Sequence, residues 1–321
     1  MIHTVIGIDG GGTYSRGVLL QIPNLNILSY AVEGPVNYHN IGLDKVRENL
    51  LKLFSSLIQG IKEEIKIEYI TIGLPAMNTE IDRVRLRSVV SELFRGYRFR
   101  IEHDVHIALY AATRGGNGIL VVAGTGCNVY GYLNGKKYYA GNWGWKIGDE
   151  GSSYRVARDL ASLALKEYDG RLEDSGILKA ILDYLNLKNF DVFLDWIYYA
   201  SVDEIAKLSI LACHLSQYNR AVYNIIKGAA QDLVNAVVAV WKKMGNPKIE
   251  LYYMGGLFNC RLFKETFINS IHRLAGGMID IRDLKVNPIV GAVLISLHSI
   301  GLDADPINLD RKIKRYIEEI Y

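Results

Sequence analysis

Two short segments join the end of a predicted strand to glycines and a threonine, a composition typical of anion-binding turns. The first reads Asp9-Gly10-Gly11-Gly12-Thr13 and the second Gly124-Thr125-Gly126. Glycine lets backbone N–H groups approach an anion closely, and the threonine hydroxyl adds a donor. One such turn could be an ordinary hairpin, but a pair at equivalent places in two halves of a chain suits a polyphosphate. We therefore expect phosphate to contact Gly11, Gly12, Thr13, Gly124, Thr125 and Gly126.

Carboxylates at predicted strand ends are candidates for metal binding and proton transfer. Asp9 precedes the first turn and could hold a hydrated Mg²⁺ against a bound phosphate. Asp104 lies between a predicted strand and a predicted helix. There it could act as a general base toward an attacking hydroxyl or cap the helix, and the residues alone leave both open. We expect its neighbour His103 to pack or cap rather than to act directly in catalysis.

The elements that must position these residues repeat along the chain. Three strands, a helix, a strand, a helix, a strand and a helix occur first over Thr4–Thr113, and a similar order begins again at Gly118. This pattern predicts an α/β protein of two similar βββαβαβα lobes with a cleft between them. We expect an N-terminal lobe at 1–114 and a C-terminal lobe at 115–321, with the option that the last helix packs back on the N-terminal lobe.

Composition excludes several classes of protein. The chain has 321 residues, enough for two domains, and its 37 basic and 34 acidic residues argue against nucleic acid as the main partner. No apolar run is long enough to span a membrane, and no targeting segment is visible, so we expect a cytoplasmic protein.

Cys127, Cys213 and Cys260 are far apart, which predicts reduced thiols without a metal or disulfide framework. Neither a Walker A loop nor a dinucleotide-binding fingerprint fits the glycine turns.

The two glycine turns and the duplicated order resemble the actin/Hsp70/sugar-kinase superfamily, whose lobes are ribonuclease H-like. Three further segments resemble its N-acetylglucosamine kinase branch, which is grouped with BadF/BadG-type ATPases and is similar to archaeal broad-specificity hexokinases. They are the turn Trp143–Ser152, which contains Gly-Asp-Glu-Gly-Ser, the loop Gly34–Asn40 and the turn Met254–Phe258. The resemblance spans Ile6–Ile295.

The resemblance implies ATP-dependent phosphorylation of a sugar hydroxyl, with ATP and Mg²⁺ as cofactors and a hexose or N-acetylhexosamine (glucose, glucosamine or N-acetylglucosamine) as acceptor. It makes Asp104 the catalytic base and a sugar contact. The other implied sugar contacts are Asn37, Asn128, Trp143 and Asp149, and the implied adenosine contacts are Gly255, Gly256 and Gly291. A homodimer is one option for its assembly.

Several of these positions also have structural interpretations. Asn37 could serve only turn geometry, Asp149 could cap the following helix, Trp143 could be a core residue, and Gly291 could allow close helix packing. The chain departs from the family at two positions, with Cys127 where serine is usual and Trp145 where histidine is usual. These departures affect the expected sugar more than the expected catalysis.

Two other functions fit a related fold. A BadF-type ATPase that activates a partner enzyme would use paired cysteines to hold an iron–sulfur cluster, and the cysteines here lack that pairing. A sugar-responsive transcriptional regulator would need a helix-turn-helix extension, for which we expect no room before the first strand at Thr4.

Overall fold

The computed structural model describes residues 1–320, which form two compact units. The first unit comprises Met1–Gly116 together with the segment that starts at Leu284, and the second comprises Asn117–Asp283. The first break in the chain lies two residues beyond the expected limit of 114. The end of the expected second lobe at residue 321 lies outside the described residues.

The first unit contains a five-stranded sheet whose order is β3-β2-β1-β4-β5. Strands β1, β2 and β3 form an antiparallel meander, and β1, β4 and β5 run parallel. Its elements before Gly116 are β1 (Ile2–Gly10), β2 (Ser15–Gln21), β3 (Asn26–Glu33), α1 (Tyr38–Ile41), α2 (Leu43–Ile58), β4 (Ile65–Leu74), α3 (Glu80–Leu93), β5 (Phe99–His103) and α4 (Asp104–Thr113).

Helix α2 ends at Ile58, although apolar residues continue at helical spacing to Ile61. Gly60 follows its last turn with a φ of 82°, a left-handed conformation that glycine adopts without strain. The chain then enters β4 at Ile65 itself. The apolar spacing of α2 therefore continues past the end of the helix, into the segment that leads to β4.

The second unit repeats the sheet order as β10-β9-β6-β7-β8, read from the opposite edge. This shared topology confirms the predicted duplication of one α/β unit. Its elements are β6 (Gly118–Ala123), β7 (Cys127–Leu133), β8 (Lys136–Gly141), α5 (Ser153–Tyr168), α6 (Ile177–Leu185), α7 (Phe190–Tyr199), α8 (Val202–Ala206), α9 (Leu208–Leu215), α10 (Arg220–Lys243), β9 (Ile249–Met254), a 3₁₀ helix (Gly256–Asn259), α11 (Arg261–Ala275) and β10 (Ile279–Asp283).

The last two helices, α12 (Pro288–His298) and α13 (Pro306–Ile320), belong to the first unit. The return of α13 is the option stated from the sequence, whereas α12 was expected in the second lobe. Helix α12 is buried on all sides from Ile289 to Leu297 and packs on α4 and β1, while α13 contacts β3. The apolar residues of α12 cover one face of the first sheet, and α2 and α3 cover the other. Burial of α12 on that sheet explains why the chain returns to the first unit.

The cysteines also differ from expectation. Cys213 in α9 and Cys260, the residue before α11, form a disulfide, whereas Cys127 is a buried free thiol. The fold brings the two Cα atoms to 5.7 Å, a distance suited to a disulfide, across 47 residues of sequence. Among the described residues, no helix combines the length and the apolar character that a membrane span requires.

Candidate active site

The first glycine turn joins β1 to β2 and is closed by backbone hydrogen bonds. The Gly11 N–H donates to the Tyr14 carbonyl at 3.0 Å, and the Gly11 carbonyl accepts from Val36 at 3.0 Å. A Cβ on Gly11 would lie 2.5 Å from the Tyr14 oxygen, so glycine is needed there for the turn itself. A Cβ on Gly12 would meet nothing within 4 Å, and Gly12 and Thr13 are exposed at the tip. The tip is therefore the part of this turn that is open to a ligand.

Asp9 is the last but one residue of β1, and its side chain is only 15% exposed. Burial raises the pKa of this carboxyl to about 6; the Arg16 guanidinium, 3.8 Å away, opposes the rise and the Asp104 carboxylate adds to it. The Asp104 carboxylate, in the same unit, is thus near enough for its charge to act on Asp9. A buried carboxylate near a second one suits a nearby cation.

Asp104 is the first residue of α4, directly after β5. The N-cap position belongs to His103, so Asp104 is not the N-cap residue, although its carboxylate satisfies one N–H group of the first helical turn. Its Oδ1 accepts the Val105 N–H at 2.7 Å and a hydrogen bond from His103. The side chain is 31% exposed, which leaves the carboxylate accessible at the end of the parallel strands.

Asn37 caps the short helix α1, since its Oδ1 accepts the His39 N–H at 3.1 Å. This observation supports the turn-geometry interpretation, and a sugar contact for Asn37 stays a prediction. The loop is anchored by Tyr38, whose hydroxyl donates to the buried Asp82 in the first turn of α3. This anchor was not found by sequence reasoning.

The second glycine turn joins β6 to β7 and packs on the first turn of α5. The Gly124 N–H donates to the Gly126 carbonyl at 2.9 Å, and the Gly124 carbonyl accepts from Ser153 at 2.8 Å. The Thr125 hydroxyl, a predicted phosphate donor, donates instead to Asp203 at 2.7 Å. Phosphate binding by that hydroxyl would therefore require it to exchange partners.

Asp149 lies in the turn before α5 with a φ of 57° and is buried. Burial raises its pKa to about 6, against hydrogen bonds from the Cys127 and Gly144 N–H groups, which lower it. A Cβ on Gly126 would lie 2.9 Å from Asp149 Oδ2, so the glycine turn makes room for this carboxylate. Helix α5 is capped by Ser152, not by Asp149.

Two buried oxygen atoms beside the second turn have no hydrogen-bond donor among the described residues. They are Asp149 Oδ1 and the side-chain carbonyl oxygen Asn128 Oδ1. A buried acceptor without a donor costs about 1–3 kcal/mol, so such atoms are uncommon unless a ligand satisfies them. Both residues were predicted to contact a sugar, and hydroxyl groups are donors of the required kind.

The tryptophans of the preceding turn are exposed. Trp143 is 63% exposed, which removes the alternative that it is a core residue. Trp145 packs edge-on against Tyr154 with ring centroids 5.5 Å apart, and the Lys146 ammonium lies 5.4 Å from the Trp145 ring centroid. The Trp145 side chain thus presents an aromatic surface with a positively charged ammonium group beside it.

Gly255 and Gly256 follow β9, and the structure gives them different roles. Gly255 has a φ of 112°, and a Cβ there would lie 2.3 Å from the Ala123 carbonyl oxygen, so β9 and β6 end too close together for any side chain. A Cβ on Gly256 would meet nothing within 4 Å. Of these two glycines, Gly256 is therefore the one that has space beside it for a ligand.

Gly291 lies in α12 of the first unit, not with Gly255 and Gly256 in the second. A Cβ on it would lie 1.8 Å from the Ile107 carbonyl oxygen, because α12 and α4 cross at that point. The structure thus supports the helix-packing alternative that the sequence left open. An adenosine contact for this buried glycine has no support in the structure.

The profile of the BadF/BadG/BcrA/BcrD ATPase family matches residues 6–296. The chain belongs to this family. The N-acetyl-D-glucosamine kinase of Dictyostelium discoideum is 28% identical over 315 residues, which cover 92% of this chain and 98% of that one. The N-acetylmuramic acid/N-acetylglucosamine kinase of Clostridium acetobutylicum is 29% identical over 303 residues, covering 91% and 97%.

A solved structure shares the fold of this BadF/BadG/BcrA/BcrD family member. It is a protein of Chromobacterium violaceum solved as a candidate N-acetylglucosamine kinase, with a TM-score of 0.73 and 22% identity. The match covers 92% of this chain and 99% of that one. This likeness shows that the two chains share one α/β fold.

Proposed function

We propose that this chain is an ATP-dependent kinase that phosphorylates a hydroxyl of a hexose or N-acetylhexosamine. The observation that carries the proposal is the pair of buried oxygens, Asn128 Oδ1 and Asp149 Oδ1, that lack a donor. Sugar hydroxyls would supply these donors and remove the cost of burying the two groups. The kinase names of both relatives, which match over nearly their whole length, support the same activity.

In the second unit, Asn128 and Asp149 bind the sugar, and the exposed Trp143 indole stacks on an apolar face of the ring. Residues Gly124–Gly126 and Gly256 bind the nucleotide through their backbone. Trp145 stands where the family usually has histidine. It lines the sugar site and helps to determine which sugar is accepted. Asn37 of the first unit is a further proposed sugar contact.

In the first unit, Asp104 accepts the proton of the attacking hydroxyl as that oxygen bonds to the γ-phosphorus and the bond to ADP breaks. Phosphoryl transfer has a loose transition state, so an oriented carboxylate suffices even though it is a weak base. Gly12 and Thr13 contribute donors to the phosphates. These roles are proposals that the accessibility of the turn tip and of the Asp104 carboxylate support.

A magnesium ion is proposed as the second cofactor, with Asp9 as the residue that holds it through water. The described residues contain no group of three side chains that could cage a metal. Asp9, a buried carboxylate near a second one, would hold a hydrated magnesium ion beside a bound phosphate. When bound, the ion neutralises charge on the phosphates. We also propose that the protein is cytoplasmic and that it forms a homodimer.

The alternative of an ATPase that activates a partner through a shared iron–sulfur cluster receives no support from the cysteines. Cys213 and Cys260 are bonded to each other, and Cys127 is buried. None of the three is an accessible thiol that could ligate a cluster between subunits.

The proposal is tested with Asp104→Asn, which keeps the side-chain shape and removes the base. We expect sugar-dependent ADP release to fall by on the order of 100-fold or more, while calorimetry still detects sugar binding. Asp44→Asn, an exposed aspartate in the first turn of α2, is the matched control and should leave the rate unchanged. Parent-like turnover by Asp104→Asn would remove the assigned role.

A further inference from the structure

His103 joins the strand and the helix that hold the proposed base. It is the last residue of β5, pairs with Leu74 of β4, and occupies the N-cap position of α4. The residue is 4% exposed, whereas the Asp104 side chain next to it is 31% exposed. A buried imidazole therefore lies behind a carboxylate that reaches the surface.

Both nitrogen atoms of this ring have polar partners. Nδ1 lies within hydrogen-bond distance of Asp104 Oδ1, and Nε2 lies 3.2 Å from the side-chain oxygen of Asn78. A carboxylate only accepts hydrogen bonds, so Nδ1 must carry a proton and donate it to Asp104. This holds whether the Asn78 amide presents its oxygen or its nitrogen to Nε2.

These contacts make the two oxygens of the Asp104 carboxylate unequal. Oδ1 accepts from the Val105 N–H at 2.7 Å as well as from His103. Both of these hydrogen bonds end on Oδ1, and neither involves Oδ2. Two donors on one oxygen fix the rotation of the carboxylate and leave the other oxygen to receive a proton. Asp9, whose pKa is raised in part by the Asp104 charge, and Arg16 beside Asp9 are charged groups near this carboxylate.

We propose that His103 is a positioning residue that, with Asn78 behind it, holds Asp104 Oδ1 and presents Oδ2 to the substrate hydroxyl. The proposal rests on the kinase function proposed above. It assigns His103 no proton transfer to substrate, because the ring is buried and its Nδ1 proton is engaged. Orientation of the base affects the chemical step more than the binding of sugar or nucleotide.

The test compares His103→Leu, which removes the donor, with His103→Asn, whose amide N–H stands where Nδ1–H was. We expect His103→Leu to lower kcat by on the order of 10- to 100-fold, with KM for sugar and ATP changed less than about 2-fold. His103→Asn should recover most of kcat. His272→Leu, an exposed histidine at the end of α11, is the control and should match the parent.

A parent-like kcat for His103→Leu overturns the proposal, and so does an equal loss in the Leu and Asn variants. If the parent itself releases no sugar-dependent ADP, it is the proposed function that fails, so the two failures are distinct. A second measurement does not depend on the Leu variant folding. In protein labelled with ¹⁵N-histidine, we expect a downfield Nδ1 proton that is absent from His103→Asn and shifted in Asp104→Asn. Its absence from the parent overturns the assigned hydrogen bond.

Discussion

Replacing Asp9 by asparagine should make the protein more stable at neutral pH. Burial raises the pKa of Asp9 from its ordinary value of 3.8 to about 6, even though Arg16 lies 3.8 Å away. A difference of about two pKa units corresponds to roughly 3 kcal/mol of unfolding free energy. Asparagine has the same shape and no charge to desolvate, so the variant should gain up to about that amount.

The gain should depend on pH in a defined direction. Between about pH 4 and pH 6, the native state holds a proton on Asp9 that the unfolded chain has released. The stability of the parent therefore falls as pH rises through this window, whereas Asp9→Asn has no such loss. The difference between variant and parent should be small near pH 4 and reach its full size above pH 6.

The assay is guanidinium denaturation without Mg²⁺ or nucleotide, at two pH values on either side of this window. Far-UV circular dichroism is the signal of choice, because all four tryptophans lie in the second unit and Asp9 lies in the first. Asp44→Asn, an exposed carboxylate in the first unit, is the control. A variant no more stable than the parent above pH 6, or a gain of equal size at both pH values, would refute the reasoning.

Five glycine substitutions give further tests. Gly255→Ala should unfold the second unit at lower denaturant, because its Cβ would lie 2.3 Å from a backbone oxygen at a φ of 112°, whereas Gly256→Ala should fold normally. Gly291→Ala should destabilise the first unit by about 3 kcal/mol or more, because its Cβ would lie 1.8 Å from a backbone oxygen, while Gly228→Ala, in open space on α10, should stabilise by about 1 kcal/mol. Gly12→Ala should unfold like the parent but raise KM for ATP in an ADP-release assay.

Patterns within short stretches of sequence predicted the elements that are determined by residues adjacent in the chain. The two strand–turn–strand segments, the strand before Asp104 and the helix after it are all encoded within a few residues of sequence. The start of α8 is also encoded locally, because Ser201 and Glu204 form a capping box there.

Contacts between distant parts of the chain could not be predicted in this way. The Cys213–Cys260 disulfide and the return of α12 to the first unit depend on which surfaces are buried together. The same is true within the candidate site, where Asn78 meets His103 and Asp203 meets Thr125 across 25 and 78 residues. No local signal marks Asn78 or Asp203 as a partner.

The most direct measurement mixes the protein with ATP, Mg²⁺ and either N-acetylglucosamine or glucose, and follows the products by phosphorus NMR. The account predicts a sugar phosphate formed in equal amount to ADP, with little ADP released when the sugar is left out. ADP release that is equally fast without any sugar of the hexose or N-acetylhexosamine class, with no sugar phosphate formed, would contradict the central claim.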